Sequence, residues 1–195
     1  MIVDPVVLIG KHVRLEPLSE AHIPGLSEAG RDPSIWRYMP YGEVTTPEKM
    51  ATWVSNLLDE KTHAADRPFA VIHLATGQIV GATRYMDIRP EHRGLEIGGT
   101  WYGTAFQRTV VNTEAKYLLL RHAFEQLGCI RVQLKTDLRN ERSQKAIERI
   151  GAKREGVLRN HIILPSGMYR HSVYFSVIDD EWPAVKTHLE EMLAK

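Results

Sequence analysis

Two segments of the 195-residue sequence concentrate the residue types that do chemistry. In the first, Leu95 to Lys116, the carboxylate of Glu96 stands two residues ahead of the glycine pair Gly98 and Gly99. Trp101 and Tyr102 follow, then Gln107 and Arg108 just before a helical pattern. The second, Asp137 to Gly156, sets Asn140 three residues ahead of Ser143. It lies within Arg131 to Arg159, where nine Lys or Arg face four Asp or Glu. Glycines in a strand leave its edge open to another extended, amide-bearing group. A helix N-terminus offers unpaired N–H groups and a positive dipole end to an anion. A local cationic surplus is either an ordinary solvated helix face or the footprint of a phosphorylated ligand.

Several other chemistries need spacings that are absent. Gly98, Gly99 and Gly103 are phosphate-loop-like, but no Gly-Lys-Ser/Thr follows, and there is no Gly-x-Ser-x-Gly elbow. The nine histidines lack the i, i+4 pairing or Cys companions of a zinc site, so no metal is expected. The basic stretch lacks interleaved aromatics and the net charge is only +1, so neither nucleic acid nor a membrane surface is an expected partner. Cys129 is the sole cysteine, which excludes an internal disulfide, and it reads as a buried spectator. Asp4 and Pro5 stand where a signal peptide would carry a basic stretch and an apolar run, so a cytoplasmic protein is expected.

The elements that must position these residues follow from periodicity. Lys11 to Glu16 alternates Val13 and Leu15 with charged neighbours and reads as a strand, with Ser19 capping the helix after it. A second helix opens at Thr46 and Pro47. Between the two lies the aromatic loop Asp32 to Val44, either a lid over a ligand or a plug on the core. Phe69 to Leu74, Ile79 to Asp87 and Leu95 to Tyr102 form an antiparallel meander. Thr113 to Leu127 is the best helix, ended by Gly128. The strand Arg131 to Asp137 leads to a helix from Asn140 to Ile150, ended by Gly151. Strands near Lys153–Ile163 and His171–Ile178 flank the turn Pro165, Ser166, Gly167, and a last helix starts near Asp180. With 43% hydrophobic residues and no linker, this is one α+β domain over residues 1–195, a mixed, mostly antiparallel sheet covered on both faces.

The sequence resembles the GNAT acetyltransferases, in particular the RimJ/RimL type that acetylates protein N-termini and related amines. The residues that carry the resemblance are Glu96-Ile97-Gly98-Gly99-Thr100-Trp101-Tyr102, the Gln107-Arg108 loop, Asp137-Leu138-Arg139-Asn140-Glu141-Arg142-Ser143, Glu148-Arg149-Ile150-Gly151-Ala152 and Glu155-Gly156-Val157-Leu158-Arg159. It runs from Leu8-Ile9-Gly10-Lys11 to Asp180-Glu181-Trp182. It implies a three-layer αβα fold and acetyl-CoA as acyl donor, held by Trp101, Tyr102, Gln107, Arg108, Thr109, Val110, Val111, Asn112, Thr113, Asn140 and Ser143. The family loop Gln/Arg-x-x-Gly-x-Gly/Ala has Gln107, Val110 and Asn112 at the matching positions here. A β-branched valine resists the positive φ that glycine allows, so the loop is expected either to bind the cofactor in another conformation or to bind it more weakly.

The reaction so implied is direct attack of a deprotonated amine on the thioester. A free amine has a pKa near about 10, so a carboxylate must take its proton. Glu96 is the first candidate for that base, Asp87 the second, and a paired structural carboxylate the alternative for Glu96. Ser143 is the implied proton donor to the leaving thiolate, with helix-turn stabilisation as its alternative role. A non-catalytic acyl-CoA-binding module and a polyamine or aminoglycoside acetyltransferase are the competing functions. The acceptor, a protein N-terminus or a small amine, is left open. So is a homodimer formed through the aromatic loop or terminal helix.

Overall fold

The structure, a computed structural model, describes residues 1–59 and 66–195. Its strands form one eight-stranded sheet in the order β1-β2-β3-β4-β5-β6-β8-β7. They are β1 (Leu8–Ile9), β2 (Val13–Pro17), β3 (Arg67–His73), β4 (Ile79–Arg89), β5 (Gly94–Tyr102), β6 (Arg131–Asp137), β7 (Lys153–Ile163) and β8 (Tyr169–Ile178). Every pairing is antiparallel except β5 with β6. The alternation of Lys11 to Glu16 thus marks β2, with Val13 and Leu15 fully buried. Two-residue β1, paired Leu8 to Leu15, is too short to show a period in the sequence.

Helices α1 (Ile23–Ala29) and α2 (Pro47–Leu58) cover one face, burying Leu26, Met50, Val54 and Leu57 against Ala70, Ile72 and Ala82. Thr46 caps α2 through the Lys49 N–H at 3.3 Å. On the other face lie α3 (Val110–Arg121), α4 (Glu141–Arg149) and α5 (Trp182–Leu193), with Leu118, Leu119, Ile147, Val185 and Leu189 over Leu95, Val132 and Phe175. The layers are therefore α, β, α. The helix expected from Thr113 to Leu127 starts earlier, at Val110, and its last turn, His122–Gln126, widens to π geometry. Trp36 of the aromatic loop and Trp182 of the last helix are spent on the protein's own core. Cys129 is buried, donates to Met1 Sδ at 3.3 Å, and burial pushes its thiol up to about 11.

One buried carboxylate locks the sheet to α3. Glu114 accepts the backbone N–H groups of Lys11, His12 and Val13 at 2.8, 2.6 and 2.7 Å, so a residue in α3 closes the turn between β1 and β2. No helix among the described residues is long and apolar enough to cross a membrane.

Candidate active site

The parallel pair β5–β6 holds together only where Gly94, Leu95 and Glu96 face Arg131, Val132 and Gln133. Beyond Glu96 the two strands diverge. β5 turns away because it carries a bulge against β4: Ala82 faces Trp101 while Arg84 already faces Gly98, and Gly99 takes φ +57°. A side chain with φ in that region is strained, and glycine meets the demand without cost. The edge of β5 from Ile97 onward is left without a strand partner on its β6 side. It walls a cleft of about 360 Å³ whose vertex is Glu96.

Glu96, Trp101, Tyr102, Gln107, Arg108, Thr109, Asn112, Asn140 and Ser143 line this cleft. Three residues expected at the cofactor do not. Val111 is buried in the core, Thr113 is buried and accepts Arg149 Nη2 at 3.0 Å, and Val110 is the first residue of α3. The loop solves its backbone problem at another position than the family pattern suggested. Arg108 takes the left-handed conformation, φ +62°, and neither Val110 nor Asn112 does. Thr109 then caps α3 through the Val111 N–H at 3.3 Å. Gln107 ties the loop to β5 through Tyr102 O at 3.0 Å, and Arg142 of α4 reaches Gln107 Oε1 at 3.0 Å. Asn140 accepts the Ser143 N–H at 3.1 Å, so the N-terminus of α4 faces the cleft beside that of α3. The Ser143 hydroxyl makes no hydrogen bond among the described residues.

Glu96 is 1% exposed, and its two oxygens are used differently. Oε2 takes Lys135 Nζ at 2.8 Å and Gln133 Nε2 at 3.1 Å. Oε1 has no donor among the described residues and lies over Gly98, 2.8 Å from where a Cβ would stand. The absent side chain at Gly98 is thus what leaves that oxygen room. Asp87 shares Gln133 Nε2 at 3.0 Å but lies outside the cleft lining.

Periodicity held a signal for one further cleft residue. Lys116 falls in register with Leu119, Leu120 and, in the π turn beyond, Ala123 on the apolar face of α3, where a lysine is out of place. It is buried and donates to Thr100 Oγ1 at 2.6 Å, and Thr100 in turn pairs with Thr83 Oγ1 at 2.8 Å. Burial lowers its ammonium to about 7. Arg170 and Lys135, from β8 and β6, could not be placed without the sheet order. The aromatic loop is both plug and wall: Trp36 is buried with its indole N–H on Gly30 O at 2.7 Å, while Tyr38, Met39, Pro40 and Tyr41 line the cleft.

These features fit an acyl-CoA. The free edge of β5 can pair with the pantetheine amides. The adjoining starts of α3 and α4 offer N–H groups to the pyrophosphate. Arg108, Arg142 and Arg149 along the lining supply cations for phosphate.

The acetyltransferase (GNAT) domain family matches residues 12–153. The Bacillus subtilis (strain 168) protein named "Putative ribosomal N-acetyltransferase YdaF" is 32% identical over 113 residues, which span 58% of this chain and 61% of that relative. Among solved structures, a "putative acetyltransferase" from T. thermophilus is 42% identical with a TM-score of 0.90, covering 99% of this chain and all of its own. A GCN5-related N-acetyltransferase from Brucella melitensis is 29% identical with a TM-score of 0.91, covering 98% of this chain and 86% of its own. The family generally uses acetyl-CoA as its acyl donor. With the splayed strands, the glycine bulge and the family match in agreement, the chain belongs to the GNAT acetyltransferases.

Proposed function

We propose that the protein transfers the acetyl group of acetyl-CoA to a primary amine, with the chemistry at the vertex of the β5–β6 cleft. The observation that carries this reading is Glu96, a buried carboxylate at the point of divergence with one oxygen engaged and the other free beside Gly98.

The donor supplies an activated thioester, and the residues supply position and protons. Glu96 Oε1 takes the proton of the incoming amine, directly or through one water. Lys135 and Gln133 hold the carboxylate in place through its other oxygen. Backbone N–H groups at the Gly98–Gly99 bulge receive the negative charge that grows on the carbonyl oxygen. As the C–S bond breaks, the Ser143 hydroxyl passes a proton to the departing thiolate and regains one from solvent water. Tyr38 to Tyr41 wall the approach of the acceptor. The name of the B. subtilis relative points to N-acetylation at the ribosome, and the RimJ/RimL resemblance to a protein N-terminus as acceptor class.

Mass spectrometry of peptides and small amines incubated with protein and acetyl-CoA tests this. An acceptor heavier by one acetyl group, formed in step with free CoA thiol, is expected. Donor binding without transfer to any amine would favour a non-catalytic acyl-CoA-binding module.

A further inference from the structure

Strands bring three cations to the cleft lining, Arg84, Lys135 and Arg170, and the first two are held in ion pairs. Asp66 takes Arg84 at 2.9 Å and Glu96 takes Lys135 at 2.8 Å, and outside the lining Asp87 takes Arg89 at 3.5 Å and Asp137 takes Arg139 at 2.7 Å. Farther along the sheet, Glu155 takes Arg131. Arg170, in the cleft lining, has no carboxylate within ion-pair distance among the described residues. Asp137 and Glu96 act on it through space, but each is already engaged.

Arg170 is 5% exposed, and its one hydrogen bond among the described residues runs from Nε to Ser172 Oγ at 3.1 Å. Ser172 is held in turn by His161 Nδ1 at 2.9 Å, and His161 Nε2 by the Tyr174 hydroxyl at 3.3 Å. This network fixes the guanidinium through one edge and leaves both terminal nitrogens without a hydrogen-bond partner among the described residues. Burying a guanidinium without a counterion is costly, and a planar fork of that kind matches a carboxylate in two parallel hydrogen bonds. Burial lowers its pKa, in keeping with a charge not fully compensated by the protein itself.

We propose that the acceptor amine carries a carboxylate, which Arg170 binds while the amine faces Glu96. The inference rests on the acetyl-transfer reading above and narrows its acceptor class. Free amino acids, and peptides with an acidic residue beside the N-terminal amine, share this chemistry. Polyamines and aminoglycosides bring only positive charge toward Arg170 and Lys135 and are poor acceptors.

The test compares acetylation rates of free amino acids, their carboxamides, dipeptides with an acidic second residue and their amide counterparts, and spermidine. Wild-type, Arg170→Met and Arg170→Lys proteins are used, with circular dichroism as the check on folding. Wild-type protein should favour the carboxylate member of at least one pair over its amide by about tenfold to a hundredfold, the usual value of a charge-assisted contact. Which pair shows it separates amino acid from peptide. In Arg170→Met that preference should collapse through a raised KM for the carboxylate acceptor, and Arg170→Lys should restore part of it. Equal use of acid and amide by wild-type protein, a preference for spermidine, or a preference unchanged in folded Arg170→Met overturns the proposal. Should no amine be acetylated by wild-type protein, the acetyl-transfer reading fails, and this one with it.

Discussion

Lys116 Nζ donates to Thr100 Oγ1 at 2.6 Å, bringing a buried lysine in the middle of α3 onto the strand that forms one wall of the cleft. Burial alone accounts for its lowered pKa of about 7. The unfolded chain therefore holds this proton up to about 10, while the folded protein releases it near 7, and stability should rise with pH between those limits. Below that window both states are protonated and the full penalty of burying the ammonium applies. Lys116→Met should melt roughly 5 °C or more above wild type near about pH 6, with the gap closing toward about pH 10. Melting curves across that range check it, and a gap independent of pH contradicts it.

Glu114 predicts a stability effect far from the chemistry. Among the described residues its carboxylate is the sole acceptor for three backbone N–H groups in the β1–β2 turn. Glu114→Ala strands them, at a cost of about 3 kcal/mol or more, or roughly 5–10 °C in melting temperature. Gly10→Ala should do comparable damage, because a methyl group there runs into the same carboxylate. Thermal denaturation of both variants is the measurement, and a loss under about 1 kcal/mol for either would contradict the assignment.

Much of this architecture was legible because it is written in local rules. The caps at Thr46 and Asn140, the alternation in β2 and the positive φ of Gly128 and Gly151 each depend on a few neighbouring residues. The site is less legible where it depends on distant ones. Glu96 meets Lys135 only because β6 lies beside β5, 39 residues on, and Arg170 joins them only because β8 inserts between β6 and β7. The conformation of the glycine-poor loop was illegible for a similar reason. The family pattern put the backbone demand on Val110 and Asn112 and left another conformation open; the bend at Arg108 lets Val110 begin the helix.

That shift makes the loop testable. Val110→Gly places glycine in the first turn of α3, which costs up to about 1 kcal/mol, or roughly 2–4 °C, and should not tighten donor binding. Arg108→Gly relieves about 1 kcal/mol of left-handed strain but removes a cation from the cleft. It should retain stability while weakening acetyl-CoA binding, read by calorimetry. Tighter binding in Val110→Gly would return the demand to that position.

Gly98 should prove intolerant of a side chain. A Cβ there would stand 2.6 Å from Met86 Sδ and 2.8 Å from Glu96 Oε1. Gly98→Ala should therefore displace the carboxylate and lower turnover by about tenfold or more, even where the fold survives. Turnover equal to wild type in a folded Gly98→Ala protein would mean that this oxygen is not needed in place.

The role of Glu96 is tested most directly by turnover of wild type and Glu96→Gln, followed as CoA thiol release with an amine acceptor across pH, beside calorimetric titration with acetyl-CoA. If Glu96 takes the amine's proton, the variant loses about a hundredfold or more near neutral pH, the loss narrows at high pH where the amine is already neutral, and donor affinity holds. Near-wild-type turnover in folded Glu96→Gln, or a loss matched by failure to bind acetyl-CoA, would contradict that role.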